Sequence, residues 1–559
     1  MALRTNGVFP GLRRPRVLAL GLVVCATLTL SACSDADPGP QAATGQAVPG
    51  GSVTWAFEVE PDTINPQLNG QTRVRPLFLN AYESLLTRDA RGGYVPLLAT
   101  DYSVSDDGLV YTFTLRDDVT FSNGEALDAA AVKANFAKLN DPDYDSQAAG
   151  QGPLAKLASV DVAGPHQVTF TLTEPYSPFL AYVSSVFLVA PSAYDSPDIT
   201  AGGPGVAGTG PFVIDSFTEG QEVRLVRRDD YDWAPSIAAH TGPAYLDSVT
   251  YRFLPEASVR LGALTSRQVD VIDGLGGNDV EVVKGDDRLE YQSSSTTGSP
   301  WSLYLNASAG PTQDIRVREA LVAAADVDTI LKSVYRGNRE RAWSNVNSAE
   351  VALYDPALEG TYGNDPALAN RLLDEAGWAA RDSDGYRVNA AGARLTISIY
   401  TTPAFTADSH EVVLQALQAQ LRQSAGFHLD IQSVDQGTWI DHFVAVDYGA
   451  SDNSISGEGA TALEWHWLAK EAGGAVNLSN FSDAKTEEWL AQAASSTDPA
   501  EQAEAYRALQ RYVILEQFLV LPLIEGQSQI AAGRWVHGVA ARPYFGEPSN
   551  LYDVWRDRA

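Results

Sequence analysis

Both cysteines of this 559-residue chain, Cys25 and Cys33, lie within its first 33 positions. Arg4, Arg13, Arg14 and Arg16 precede an apolar stretch that begins at Val17, small residues close it at Ser31-Ala32-Cys33, and no acid occurs before Asp35. A positive flank, an apolar run and small residues at the cut form a secretory signal peptide over residues 1–32. The body that follows is therefore an exported one that retains a single cysteine. It has no internal disulfide and must be held by its core. The cysteine count also excludes a thiolate zinc site. About 525 residues remain, enough for two or three packing units.

The run Leu30-Ser31-Ala32-Cys33 resembles the lipobox of bacterial lipoproteins. The resemblance implies that Cys33 is the first mature residue and carries the lipid that holds the protein at the outer face of the bacterial cytoplasmic membrane. A plain signal peptide and an N-terminal membrane helix are the alternatives, but the apolar run is short for a span of about 20 residues. Residues 33–49 form a flexible tether: positions 34–50 read SDADPGPQAATGQAVPG, without apolar periodicity, and reach roughly 60 Å at full extension. No later segment is a candidate span; residues 514–524 are too short and contain Glu516 and Gln517. Removing the four leader arginines leaves 35 basic residues against 70 acidic ones, a formal charge of −35. That balance argues against nucleic acid as a partner and against a basic membrane-surface mode.

The texture changes at Gly51. Ser52-Val53-Thr54-Trp55-Ala56-Phe57 alternates as a half-buried strand does, and Tyr111-Thr112-Phe113-Thr114-Leu115 repeats the pattern behind the turn Asp106-Asp107-Gly108. Further strands are expected at 167–172, 223–226, 249–253 and 395–400. Helices are expected at 129–139, at 367–376 behind Asp365-Pro366 and before Gly377, at 412–421, and at 502–516. Alternation of the two element types makes the class α/β, or mixed α+β.

Residues 96–139 read PLLATDYSVSDDGLVYTFTLRDDVTFSNGEALDAAAVKANFAKL. This stretch resembles the signature region of the family 5 extracellular solute-binding proteins, which include the oligopeptide-, dipeptide- and nickel-binding proteins of ABC importers. Asn80-Ala81-Tyr82-Glu83-Ser84-Leu85, Gly208-Thr209-Gly210-Pro211-Phe212, Tyr231, Asp314-Ile315-Arg316-Val317-Arg318-Glu319-Ala320-Leu321, Asn480-Phe481-Ser482-Asp483 and Leu521-Pro522-Leu523 are similar to further segments of that family in the same order. The resemblance implies a two-lobed periplasmic-binding-protein-like fold with an extra domain in the first lobe. It places the first lobe at 50–87, 206–300 and 525–559, the extra domain at 88–205 and the second lobe at 301–524. It implies a monomeric receptor that captures a short peptide or peptide-like solute and presents it to an ABC permease and its ATPase. A nickel chelate, an opine, an oligosaccharide or a siderophore-like cargo would use the same role.

Locally, the same residues have scaffold duties: the Asp-Asp-Gly turn closes a hairpin, Gly124 permits a positive φ, and Asp128 caps a helix that begins near Ala129. A surface hydrolase is the competing class, and its motifs are missing. His410-Glu411 is not followed by a second helical histidine, no Gly-x-Ser-x-Gly occurs, and the seven histidines are scattered. Residues 202–210, GGPGVAGTG, lack the Lys-Ser/Thr of a phosphate cradle and read as a mobile interlobe loop. Asp382-Ser383-Asp384-Gly385 lacks the remaining ligands of a calcium loop and reads as a hairpin turn. No cofactor and no resident metal are expected.

What remains is binding chemistry. A receptor that encloses its ligand needs aromatic walls and a few charged anchors. Residues 447–467, DYGASDNSISGEGATALEWHW, have that composition. In peptide-binding relatives this region carries an acid, commonly in an Asp-Pro context, that pairs with the ligand's amino terminus. No Asp-Pro occurs here, so the resemblance leaves Glu458 and Asp452 as candidates, with Glu458 preferred. If the segment is extended, Trp465 and Trp467 share one face and His466 points away. Trp301, Tyr304 and Trp439 are further wall candidates. Arg75, with Arg73, is positioned by the resemblance in the first lobe, where it would pair with an anionic ligand group.

Overall fold

The computed structural model describes residues 47–90, 92–144, 146, 151–402, 409–469, 476–541 and 550–558. The leader, Cys33 and nearly all of the tether lie outside the described residues.

Three sheets organise the chain. In the first, seven strands lie in the order Leu289–Ser295, Gln527–Gly533, Val271–Asp273, Ser52–Phe57, Ser248–Phe253, Glu222–Arg227 and Phe212–Thr218. Ser52–Phe57 is central and runs parallel to both neighbours. Its period of two sends Val53, Trp55 and Phe57 into one apolar cluster and Ala56 into another, with Leu264, Ile272 and Ala531. A strand buried on both faces explains why only Ser52 and Thr54 of its residues are polar. Phe57 packs on Tyr251 at 4.7 Å between ring centroids.

The second sheet is antiparallel: Ala99–Val104, Val110–Leu115, Gln167–Leu172 and Leu157–Gly164. Gly108, at φ +69°, turns the first hairpin. Helix Ala129–Leu139 covers one face, its amide at Ala131 bonded to the Asp128 carboxylate as an N-cap. Phe136 meets Phe170 edge-on at 4.7 Å, and Phe170 meets Phe113 at 5.6 Å.

The third sheet is mixed: His428–Ser433, Thr396–Thr401, Ala450–Asn453, Trp301–Leu305 and Val520–Ile524. Helix His410–Ala425 buries Val413, Leu414, Leu417 and Leu421 at the expected helical spacing against Ile397, Ile399 and Leu429. Helix Pro366–Glu375 is capped by Asp365, and the carboxylate of Asp382 organises the turn that follows it as a hairpin. The last long helix runs Pro499–Arg511 and widens to π-helical turns over Tyr512–Glu516.

The chain passes between the seven-stranded and five-stranded sheets along two adjacent segments. Leu289–Ser295 pairs with Gln527–Gly533, Trp301–Leu305 pairs with Val520–Ile524, and between them the amide of Thr296 donates to the carbonyl of Gly526 at 2.8 Å. Gly298 lies on this crossing at φ +87°, and a Cβ there would stand 2.1 Å from the Ile455 carbonyl oxygen. The crossing is therefore pressed against the segment that leads into residues 457–467.

One expectation is corrected here. Residues 202–210 are not a loose loop. A Cβ on Gly208 would stand 2.2 Å from the Ala81 carbonyl oxygen, and the Gly210 amide donates to that carbonyl at 3.0 Å. The glycines let this segment lie directly on the end of helix Arg75–Ala81, which accounts for their density without a ligand.

Candidate ligand-binding site

Glu350, Gly298 and the start of helix Gly459–Trp467 converge. The Glu350 carboxylate is buried, and its Oε1 accepts the amides of Gly298 at 3.2 Å and Gly459 at 2.5 Å. It thereby ties the crossing segment to the helix start. Burial, with Glu458 nearby, pushes the Glu350 carboxyl up to about 8.

Glu458 is the N-cap residue of that helix, yet its side chain makes no capping bond. It reaches across to Arg88, Oε2 to Nη2 at 2.7 Å, with side-chain exposures of 13% and 12%. Its other oxygen, Oε1, is buried and finds no hydrogen-bond partner among the described residues. Burial raises the Glu458 carboxyl, and Arg88 and Arg75 pull it back down. Arg88 ends the short strand Leu86–Arg88 and is held by its own hairpin. Nη1 donates to the Gly92 carbonyl at 2.7 Å, Nη2 donates to the Tyr94 hydroxyl at 3.0 Å, and the guanidinium lies 4.0 Å above the Tyr94 ring. Arg75 begins helix Arg75–Ala81, donates to the Ser185 carbonyl at 3.1 Å and lies 4.4 Å above the Phe187 ring. A cation in the first turn runs against the helix dipole. Arg73 stands apart, paired with Glu58 at 2.9 Å and half exposed.

A second group hangs from the strand that begins the five-stranded sheet's share of the crossing. Trp301 Nε1 donates to Asp452 Oδ2 at 3.0 Å, and the indole stacks on His410 at 4.0 Å. Both residues are buried, and burial pushes the Asp452 carboxyl up to about 6. Trp439 is buried on helix Gln436–Ala445, donates Nε1 to the Tyr400 carbonyl at 3.2 Å and stacks on Phe443 at 5.6 Å.

The aromatic triplet is corrected by the structure. Residues 459–467 are helical, so Trp465, His466 and Trp467 point in three directions about 100° apart instead of alternating between two faces. Trp465 is 37% exposed, while His466 and Trp467 are fully buried. Trp467 packs with Tyr304, Leu463 and Tyr506 in one apolar cluster, so Tyr304 and Trp467 are core residues and not walls. His466 stacks on Tyr304 at 4.3 Å with Nε2 3.2 Å from Ser299 Oγ, and burial keeps its imidazole neutral by pulling its pKa down to about 3.

Of the expected anchors, the structure brings Glu458 and Arg75 into one charged cluster. It supplies two members that sequence reasoning missed, Arg88 and Glu350. The antiparallel sheet's side of the molecule also contributes: Tyr176 donates its hydroxyl to Glu464 Oε2 at 2.8 Å, and the Ser177 amide donates to the Ala494 carbonyl at 2.7 Å. Among the described residues no helix is long and apolar enough to cross a membrane.

Two sheet-centred bodies joined by crossing strands, with a buried charged cluster contributed from both sides, define the two-lobed solute-binding class. The match to known proteins narrows this. The profile described as bacterial extracellular solute-binding proteins, family 5 Middle, matches residues 93–469, and the chain belongs to that family. The glutathione-binding protein GsiB of Escherichia coli (strain K12) is 24% identical over 499 residues, spanning 85% of this chain and 90% of that protein. The crystal structure of NikA from Brucella suis, in complex with Fe(III)-EDTA, superposes with a TM-score of 0.75 at 25% identity, covering 89% of this chain and 100% of that one. The Helicobacter pylori binding protein DppA, in complex with the peptide STSA, superposes with a TM-score of 0.73 at 22% identity, covering 91% of this chain and 99% of that one.

Proposed function

We propose that this protein is the lipid-anchored substrate-binding component of an ABC importer, that it captures a short peptide or peptide-like amine between its lobes, and that Glu458 pairs with the ligand's ammonium. The observation that carries this reading is the largely, though not fully, buried Arg88–Glu458 contact at 2.7 Å, made between the strand Leu86–Arg88 and the helix Gly459–Trp467. Charges held out of water at a junction between lobes are suited to hold a charged solute. Relatives named for glutathione and for a bound peptide support a peptide-like cargo.

The proposed first lobe comprises residues 50–87, 206–300 and 525–559, the extra domain 88–205 and the second lobe 301–524. Each sheet draws its strands from one of these groups, and only the small hairpin Leu86–Arg88 with Tyr94–Pro96 straddles a boundary. Ligand contact with both lobes shifts the population toward a closed form that is presented to the permease. No bond is made or broken in this cycle.

Native mass spectrometry of protein purified from its own host tests the role. An intact co-purified solute is expected; steady fragmentation of offered peptides would sink the receptor reading in favour of a hydrolase. Small-angle scattering should show compaction when that solute is added. Tyr176→Phe removes the donor to Glu464 and should weaken solute affinity about threefold to tenfold, the worth of one hydrogen bond to a charged or polar partner; unchanged affinity would mean that this contact plays no part in closure. Cys33→Ser should move the protein wholly from the membrane fraction to the soluble fraction while leaving solute affinity within twofold. Retention in the membrane fraction would remove the lipid anchor.

A further inference from the structure

The seven-stranded and four-stranded sheets share one apolar cluster, in which Trp55 and Tyr251 of the first join Phe113 and Phe170 of the second. A buried polar network binds them as well. Gln67 Nε2 donates to Asn135 Oδ1 at 2.8 Å and to the Phe187 carbonyl at 3.0 Å, and its Oε1 accepts the Tyr144 and Tyr194 hydroxyls at 3.2 and 3.1 Å. Satisfied buried networks of this kind hold their members rigidly. The five-stranded sheet has apolar clusters of its own. Bending at the crossing therefore moves the first two sheets as one body, and the extra domain travels with the first lobe.

Away from the crossing, that body meets the helices of the second lobe again through residues 176 and 177. The Ser177 amide and hydroxyl donate to the Ala494 and Ala493 carbonyls at 2.7 and 3.0 Å, and Ala494 packs on the cluster shared by the first two sheets. The Tyr176 hydroxyl donates to Glu464 Oε2 at 2.8 Å. Glu464 stands roughly 9 Å along its helix from Glu458, so this contact is separate from the proposed anchor.

Glu464 is poorly provided for as an anion. Among the described residues Tyr176 is the one hydrogen-bond donor to its carboxylate, and its Oε1 is buried without a partner. Among the same residues, the titratable groups that face it from other elements are Tyr176, Lys156 and Tyr506. Lys156 is paired with Glu174 and lies 5.0 Å over the Tyr176 ring. Tyr506, from helix Pro499–Arg511, is a buried phenol that stays neutral. On the helix of Glu464 itself, His466 is neutral and Glu458 turns to Arg88. A carboxyl held out of water with one neutral donor prefers its protonated form, and burial pushes Glu464 up to about 7. Protonated, it still accepts the Tyr176 hydroxyl.

We propose that the Tyr176–Glu464 contact is a proton-linked latch: the extra domain carries it on the first lobe, and closing the lobes takes up a proton at Glu464 that opening releases. This rests on the two-lobed receptor reading and adds a control that needs no solute. Opening returns the carboxyl to water and toward its ordinary value of 4.5. Between about 4.5 and 7 the closed form holds a proton that the open form has lost. The latch is fully engaged below that window and weakens as pH rises through it, by up to about tenfold per pH unit.

Small-angle scattering of the solute-free protein, well below its melting temperature, reads the latch. The unaltered protein should be compact at about pH 5, and its ratio of closed to open forms should fall at least tenfold by about pH 8. Glu464→Gln keeps an acceptor for Tyr176 but cannot ionise, so it should stay compact across the range. Lys156→Met, a surface change that leaves the core intact, removes a cation that favours ionised Glu464 and should move the midpoint to higher pH. A profile that does not change with pH, or that tightens as pH rises, overturns the latch. So does an opening that survives in Glu464→Gln, or a midpoint that Lys156→Met leaves in place. Failure of the receptor reading would appear separately, as peptide fragments in the mass-spectrometric experiment.

Discussion

The melting temperature of the protein should be highest near pH 5 and fall by about 10 °C by pH 8. Buried carboxyl groups set this direction. Burial pushes Glu83, Asp273, Glu464 and Glu525 up to about 7 and Glu350 up to about 8. In the unfolded chain these groups ionise near 4 to 4.5. Between the two values the native state holds protons that the unfolded state has released, so stability falls as pH rises through that window, from about 4.5 to 8. Each tenfold difference in proton affinity is worth about 1.4 kcal/mol, so even three such groups amount to several kcal/mol. Surface acids act in the opposite sense. Asp286 is held down at about 2 by Arg288, and Arg316 holds Asp314 below its ordinary value; their contribution is present above pH 4 and lost as pH falls through their native values. The maximum therefore lies between the two sets. Glu464→Gln checks the cause. It keeps an acceptor for the Tyr176 hydroxyl and removes one titration, so its melting temperature should drop less between pH 5 and 8 than that of the unaltered protein. A flat or rising profile over this range would show that these carboxyls ionise freely in the folded state.

The buried carboxyls illustrate what a sequence does and does not disclose. Local physics was legible. Asp128 before Ala129 and Asp365 before Pro366 announced helices that the structure caps with those same carboxylates. The alternation of Gln167–Leu172 announced a strand with the expected inward face, whereas Ser52–Phe57, expected to be half-buried, is a central strand whose second face is covered too, at Ala56. Family membership was legible too, because its signals are spread along the chain in order. The 465–467 triplet misled because aromatic residues favour strands on average, while here packing against Tyr304 and Leu463 stabilises a helix. Arg88 and Glu350 carried no local signal at all. Arg88 sits in Leu86-Thr87-Arg88-Asp89 and Glu350 in Ser348-Ala349-Glu350-Val351, stretches that read as ordinary surface. Their significance arises only when a crossing segment, a hairpin and a helix start are brought to one place, which is a property of tertiary topology. Gly298 is the trace of that event in the sequence: it is required by a close approach to Ile455, a partner more than 150 positions away.

Glu458→Gln should lower affinity for the co-purified solute by about 100-fold. The change is isosteric, so shape is kept and only charge and hydrogen-bond polarity alter. Removing one partner of a desolvated charge pair costs about 2–5 kcal/mol, most of it from the charge left behind, and a factor of 100 lies within that range. Glu350 stands near Glu458 and Asp452 is the other candidate acid, and neither is free to take over its role. Glu350 is occupied by the Gly298 and Gly459 amides, and burial keeps its carboxyl protonated up to about pH 8. Asp452 is engaged with Trp301 Nε1. The loss should appear mainly as faster dissociation, because a buried pair acts after encounter. The same substitution removes the acid from Arg88, so the ligand-free protein should also scatter as a more open particle than the unaltered one. Glu458→Asp retains the charge one methylene short of Arg88 and should fall between the two in both measurements. The conjunction is what distinguishes an anchor from a structural salt bridge: a structural bridge would lower thermal stability and leave the dissociation rate of the solute unchanged, whereas an anchor raises that rate even at temperatures where Glu458→Gln is fully folded. Affinity within threefold of the unaltered protein would assign the ammonium to another acid, with Asp452 next to be tested.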